Sequence, residues 1–304
     1  MNTNFLVRQS DILDPKKTAE TSICIIGCGS IGSITALTLV KMGFDNIMLI
    51  DDDIVEEHNL SNQFYRTVDI GKSKVVALRE ILIENGGDRN TIRAKTRRFT
   101  YNDRDSYSYE LQYYNIVISC VDNMETRAAI YFYFQNTIEK DKELSIQTKL
   151  YFETRMGMQS YGIYILPINP VNQSAFLLYK QEALFPQEEA EQVRCTEKSI
   201  MFCPMDIAGK IGKLMLCYGQ NIPINFFGFI CDLNDFGKWL PNQIILQTNK
   251  QKSSTQVEID NTFNIDETTE KIIYFEKDEE TDAVQEELDQ DFSESHSEIT
   301  ADVS

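Results

Sequence analysis

Three glycines and an acid at fixed spacing are the first residues of this sequence with chemistry to offer. Gly27-Cys28-Gly29-Ser30-Ile31-Gly32 is a Gly-x-Gly-x-x-Gly run, and Asp51-Asp52-Asp53 follows it after an apolar stretch. Gly27 permits a tight turn, Gly29 lets a phosphate approach the backbone, and Gly32 lets a helix pack closely on a strand. A helix opening at such a loop presents unpaired N–H groups and partial positive charge to that phosphate. Asp51, closing the next strand, is placed to accept hydrogen bonds from a ribose. In many α/β chains the same glycines mark only a tight turn, so the flanking elements must decide.

Those elements fall in register. Ser22 to Ile26 is an apolar, β-branched run that reads as a strand, and an apolar helical stretch continues to Lys41. Gly43 and a second apolar run, Ile47 to Ile50, lead to Asp51. Strand, glycine loop, helix, strand and acid form the nucleotide-binding unit of a doubly wound sheet. Residues 70–82 read as an amphipathic helix starting at a glycine turn, and Thr91 to Phe99 alternates like a strand. Asn115 to Cys120 is a buried parallel strand, with Asp122 just past its carboxyl end, where open α/β sheets bind ligands. Asp122 is alternatively an N-cap for the helix expected through Phe134. Leu144 to Leu150 and Tyr161 to Leu166 read as strands, residues 169–198 as a crossover loop, and Ile200 to Leu216 as a helix. Ile224 to Asp232 and Gln243 to Gln247 read as strands with Trp239 between them. Val257 to Phe263 and Lys271 to Glu276 suggest an added hairpin.

The run from Asp51 to Gln63, DDDIVEEHNLSNQ, resembles the D-x-D-x-V-x-x-x-N-L-x-R-Q signature of the adenylyltransferases that activate ubiquitin-like proteins, the MoeB/ThiF family. The resemblance covers roughly the first 220 residues. It implies an ATP site lined by Gly27, Gly29, Gly32, Asp51, Asp53, Asn59 and Gln63. Gly71-Lys72-Ser73-Lys74 matches the family's G-x-x-K, which implies that the Lys74 ammonium sits on the phosphates, with Lys72 a rival one helix face away. Asp122-Asn123 with Arg127 matches D-N-x-x-x-R, which implies Asp122 as a Mg²⁺ ligand, a role suited to a hard cation's preference for oxygen. Phe5-Leu6-Val7-Arg8-Gln9 is similar to the R-x-x-R-Q start of the family, with Phe5 in place of the first Arg. In relatives the second Arg, here Arg8, reaches the partner subunit's ATP site, so a homodimer is implied; the alternative is a surface arginine. Asn62 stands where the family has Arg, and Arg66 is the residue expected to restore that charge at the phosphates.

Residues 155–159 and Tyr161 to Leu166 resemble the family's antiparallel strands beside the protein-substrate groove. The fold expected is therefore α/β: a doubly wound, mainly parallel Rossmann-like sheet with an antiparallel extension. Cys195 lies where relatives carry a cysteine that attacks the acyl-adenylate or a downstream sulfur intermediate. Arg194, Lys198 and a nearby helix N-terminus favour a thiolate there. The competing reading is a loop cysteine without a role.

Composition limits the alternatives. Net charge is −18, and residues 278–304 hold eleven Asp or Glu and no Lys or Arg, which leaves about −7 for the rest. That balance argues against a nucleic-acid-binding surface. The tail is expected to be disordered, either a solubility segment or a docking segment for a basic partner. No apolar run approaches the roughly 20 residues that span a bilayer, and the N-terminus lacks a signal-peptide core. The expectation is a cytoplasmic protein without a membrane partner. Seven cysteines form no C-x-x-C pair, so the structural zinc of many relatives is not expected. The two histidines, His58 and His296, support neither a His-based triad nor a histidine metal site.

The organisation expected is an ATP-binding adenylyltransferase domain over residues 1–277, followed by the acidic tail, 278–304. Within the domain, the Rossmann core spans about 20–150 and a carrier-protein-binding part spans 151–277. The function implied is Mg-ATP-dependent activation, as acyl-AMP, of the C-terminal carboxylate of a small ubiquitin-like or sulfur-carrier protein, with or without transfer to a cysteine. The alternatives are the same chemistry on a small-molecule, peptide or tRNA-linked carboxylate, or a catalytically silent dimeric scaffold. A nicotinamide dehydrogenase would need a proton-transfer residue that the sequence does not offer.

Overall fold

Parallel strands covered on both faces must be apolar along their whole length, and the strands that carry this fold meet that demand. A computed structural model describes residues 3–100, 111–140, 149–157, 160–168, 173–185, 200–232 and 237–241, all within the compact unit Met1–Ser254. Strand β1 (Ser22–Ile26) is buried from Ile23 onward and β4 (Ile116–Ser119) throughout. They pair in parallel with Ile26 opposite Ser119. On the other side of β1 lie β2 (Asn46–Asp51) and then the short edge strand β3 (Arg93–Thr96). Beyond β4 come parallel β5 (Leu150–Met156) and antiparallel β6 (Ser160–Pro167), β7 (Phe226–Asp232) and β8 (Lys238–Pro241). The order is β3-β2-β1-β4-β5-β6-β7-β8. This is the doubly wound, mainly parallel sheet with an antiparallel extension that was expected.

Alternation along the strands splits the core in two. Ile23 and Ile25 join a cluster with helices α2 (Ser30–Lys41), α3 (Lys74–Glu84) and α6 (Phe202–Gly219). Cys24 and Ile26 face the opposite cluster, with α4 (Met124–Lys140) and α5 (Gln173–Ala183). A short helix, α1 (Pro15–Glu20), precedes β1 and starts on the Asp14 carboxylate, which accepts from Lys16 N at 2.9 Å. From β1 the chain builds outward through β2 to β3, then returns to place β4 on the other flank of β1. That reversal opens a crevice at the carboxyl ends of β1 and β4, the ligand position of such sheets.

Three local expectations change. The fifth strand begins at Leu150, where it was expected to end, and runs to Met156; residues 144–148 lie outside the described residues. Glu153 and Arg155 disguise it, since a strand carrying both would normally face water. Residues 173–183, expected as loop, form α5, because Ala175, Phe176, Tyr179 and Ala183 share one buried helical face. Trp239, expected between strands, lies within β8 and packs on Phe226 and Phe229 at 5.2 and 4.9 Å between ring centroids. Residues 243–247, the hairpin of 257–276, the tail and Cys195 lie outside the described residues.

Candidate nucleotide site

The glycine loop joins β1 to α2 at the mouth of that crevice. Gly27 has φ +91°, and a Cβ there would stand 2.7 Å from the Cys120 carbonyl oxygen; at Gly32 it would stand 1.9 Å from the Gly27 carbonyl oxygen. Both positions are sealed by backbone. Gly29 is the reverse, with nothing within 4 Å of an added Cβ. It precedes α2 and provides no side-chain cap of its own, and a helix N-terminus is a place where an anion can accept from backbone N–H groups.

Asp51 holds the loop in place. Its Oδ2 accepts from Cys28 N at 2.6 Å and its Oδ1 from Asp53 N at 2.8 Å. Burial pushes its carboxyl above the usual range, against the pull of those two N–H groups and of Lys74. Both oxygens are thus engaged by the protein, which makes Asp51 a brace between β2 and the loop. Tyr65 is a second brace that sequence reasoning missed. Its buried hydroxyl donates to the Cys28 carbonyl at 2.6 Å and lies 3.4 Å from the Lys74 carbonyl. No sequence pattern distinguishes this tyrosine from a core aromatic residue.

Lys74 and Lys72 separate cleanly. Lys74 is 7% exposed at the start of α3, and its ammonium bonds Asp53 Oδ2 at 2.8 Å. Lys72 pairs instead with buried Asp69 and with Glu80, at 3.1 and 3.3 Å. Lys74 and Asp53 are therefore the pair beside Asp51. Asn59 is buried within a capping box, accepting from Glu56 N at 2.9 Å, and so shapes the turn Glu57–Ser61. Gln63 follows that turn, and its neighbours tie it to α2: Ser30 Oγ donates to the Asn62 carbonyl, and Phe64 N to Ser33 Oγ at 3.0 Å. Asn62 Oδ1 and Gln63 Oε1 are buried with no hydrogen-bond partner. Polar atoms left unpaired beside a helix N-terminus fit a site that a polar ligand completes.

Arg66, expected at the phosphates, is turned elsewhere. Its Nε and Nη2 donate to the two Asp69 oxygens at 2.8 and 3.0 Å, and its Nη1 donates to Glu84. Two carboxylates outweigh one loop, so the charge missing at Asn62 is not restored from this direction. Asp122 is exposed, touched only by Asn123 Nδ2 at 3.5 Å among the described residues. The cap of α4 is Asn123, whose Oδ1 accepts from Thr126 N at 2.8 Å. The capping role considered for Asp122 therefore belongs to its neighbour, and the Asp122 oxygens remain available to a hard cation. The carboxylates of Asp51, Asp52 and Asp53 also cluster within 4.8 Å, but Asp51 and Asp53 are already compensated by N–H groups and Lys74.

Arg8 is exposed, in a segment packed at the far end of α2. Leu6 lies against Gly43, and Gln9 Nε2 donates to the Lys41 carbonyl at 2.7 Å. The 12-residue helix α2 separates this end from the glycine loop, a rise of about 18 Å. Arg8 cannot serve the loop of its own chain.

A buried ionic cluster, also unforeseen, sits beside the Asp122 loop. The Glu153 carboxylate, 0% exposed, meets Arg127 Nε at 2.7 Å and accepts from Arg155 Nε at 2.9 Å and the Tyr179 hydroxyl at 3.2 Å. Arg127 Nη2 donates to the Val121 and Thr154 carbonyls at 2.6 and 3.3 Å.

Known proteins resemble this chain in sequence and in fold. Mouse (Mus musculus) ubiquitin-like modifier-activating enzyme 5 is 32% identical over 133 residues, which are 41% of this chain and 33% of that protein. The Caenorhabditis briggsae enzyme of that name is 29% identical over 135 residues, 41% and 31% of the two chains. This chain thus matches about a third of the length of these curated relatives. Among solved structures, E. coli MccB with AMPCPP and MccA superposes with a TM-score of 0.57 at 14% identity, covering 79% of this chain and 72% of that one. E. coli tRNA N6-threonylcarbamoyladenosine dehydratase, TcdA, with ATP gives 0.51 at 16%, covering 72% and 94%. At these identities the superpositions speak to the fold alone. The sequence matches the ThiF family over residues 3–230, and the chain belongs to that family.

Proposed function

We propose that this protein is an Mg-ATP-dependent adenylyltransferase acting on a carboxylate. The observation that carries the reading is the uncapped N-terminus of α2 behind Gly29, facing a crevice whose other wall ends in the uncommitted carboxylate of Asp122. In that reading the loop N–H groups bind phosphate, and Lys74 offsets the charge that grows as pyrophosphate leaves. The Asn62 and Gln63 side chains complete the wall. Asp122 would hold Mg²⁺, which supplies charge neutralisation on the phosphates. A substrate carboxylate oxygen attacks the α-phosphorus of ATP, the bond to the β-phosphate oxygen breaks, and acyl-AMP and pyrophosphate result. Positioning and charge suffice, and no protein nucleophile is needed for this step.

The substrate we assign is the C-terminal carboxylate of a small ubiquitin-like or sulfur-carrier protein, in keeping with the activating-enzyme relatives. A small-molecule, peptide or tRNA-linked carboxylate is the alternative within the same chemistry. Cys195 is proposed to receive the acyl group afterwards: its thiolate attacks the acyl carbon, the bond to the phosphate oxygen breaks, and a thioester and AMP result. We further propose a homodimer in which Arg8 serves the partner's site, which its distance from its own loop supports. The described residues contain no helix long and apolar enough to cross a membrane. One observation favours a second reading, a silent scaffold: Asn62 replaces the family's Arg, and Arg66 is held by Asp69 and Glu84. ATP–pyrophosphate exchange with candidate carriers separates the two. Carrier-dependent exchange that Asp122→Ala abolishes supports the enzyme; ATP binding without exchange for any carboxylate supports the scaffold.

A further inference from the structure

The hydrogen-bonded ladder between β4 and β5 ends at Ser119 opposite Glu153, yet Asp122 lies three residues further on. Beyond the last pair, strand ends fray unless another group ties their carbonyls. β5 stays paired with β6 through Met156, and the Thr154 hydroxyl donates to Ser119 O at 2.9 Å; past that point one guanidinium bridges the two sides, Arg127 Nη2 donating to Val121 O after β4 and to Thr154 O in β5. Asn123 fixes the other end of the loop as the cap of α4. Asp122 is thus held between two anchors while its own side chain stays exposed.

The charge that faces that guanidinium is Glu153, whose Oε1 lies 2.7 Å from Arg127 Nε as an ion contact without hydrogen-bond geometry. Its carboxylate meets Arg127 on one side and Arg155 on the other, with Tyr179 donating to Oε2. Arg155 is fixed in turn by the Ala183 carbonyl at 2.6 Å and by the rings of Tyr164 and Phe185, at 5.1 and 5.6 Å from its guanidinium carbon. Two guanidiniums share a single buried anion, so removing that anion leaves like charges facing each other in a low dielectric. Arg127 would then keep its carbonyl partners on Val121 and Thr154 but have no carboxylate opposite its charge among the described residues.

We propose that Glu153 is a positioning residue for Asp122, acting through Arg127 to fix the loop at the end of β4. This rests on the adenylation reading only in what it says Asp122 is for; the positioning itself is a property of the unliganded chain. The test is amide hydrogen exchange by mass spectrometry on Glu153→Gln and Arg127→Lys. Arg127→Lys keeps the charge and removes the fork that spans both carbonyls. In both variants, peptides covering 120–126 should exchange at least about tenfold faster than in the wild type, while the glycine-loop peptide, 27–33, stays within about twofold. Mg²⁺ titrations of ATP binding should show a higher half-saturating Mg²⁺ concentration, with metal-free ATP affinity unchanged. Equal acceleration in the two peptides, or none in 120–126, would overturn the proposal. Should Glu153→Gln fail to fold, Arg127→Lys alone decides by the same comparison. If ATP does not bind at all, the adenylation reading fails while the exchange result still judges the positioning.

Discussion

Two alanines in the glycine loop should fail in opposite ways. In Gly32→Ala the new Cβ stands 1.9 Å from the Gly27 carbonyl oxygen, so loop and helix must part by about 1.5 Å to restore an ordinary 3.4 Å contact. Overpacking typically costs about 1–3 kcal/mol, and a clash between two backbone segments belongs at the upper end. At roughly 2–4 °C per kcal/mol for a domain of this size, Tm should fall by about 6–12 °C. In Gly29→Ala the Cβ meets nothing within 4 Å, so Tm should hardly move. That methyl occupies the space a phosphate needs to reach the N–H groups of α2. Losing one charge-assisted hydrogen bond, about 1.5–3 kcal/mol, should weaken ATP binding by about 10- to 150-fold. Differential scanning fluorimetry and isothermal titration calorimetry on both variants read this contrast. Wild-type ATP affinity in Gly29→Ala would refute the assignment of the loop as a phosphate site.

Three further outcomes follow from the braces and the dimer. Tyr65→Phe leaves the Cys28 carbonyl without its buried donor, so urea unfolding should show a loss of about 1–3 kcal/mol. Asp69 is buried, a cost that raises its pKa, but hydrogen bonds from Arg66 and Lys72 prevail and hold the carboxyl below its ordinary value. A depressed folded pKa gives stability that is present above the unfolded pKa and lost as pH falls through the folded one. Asp69→Asn should therefore destabilise at pH 7, with the gap to wild type closing below about pH 4 in urea-midpoint measurements. Mixing Arg8→Ala with Asp122→Ala subunits should restore part of the exchange activity that each variant lacks, because one site of a mixed dimer carries neither lesion. No rescue despite subunit exchange would remove Arg8 from the site.

The strand, loop, helix, strand and acid of the first half were legible because each obeys local rules: apolar β-branched runs buried on both faces, glycine where backbone must meet backbone, an acid at a strand end. The same rules hid the second half. Glu153 and Arg155 made β5 look interrupted, since their partners, Arg127 and Tyr179, are distant in sequence. Arg66 was legible as a cation near the signature run, but not as one claimed by Asp69 and Glu84. Asp122 was the residue considered for the cap of α4, and only the geometry gives that role to Asn123. Lys74 and Lys72 were separable only once α3 had a buried face.

Acyl-AMP chemistry has an isotopic signature, and it tests the central claim most directly. The carboxylate of a Gly-Gly-ending carrier protein can be enriched in ¹⁸O and turned over with Mg-ATP and an excess of acceptor amine or thiol. Attack by that carboxylate on the α-phosphorus places one labelled oxygen in the released AMP, and mass spectrometry of the nucleotide should find it there. Label appearing in inorganic phosphate with ADP as co-product, or AMP formed without label, would contradict adenylation of the carboxylate.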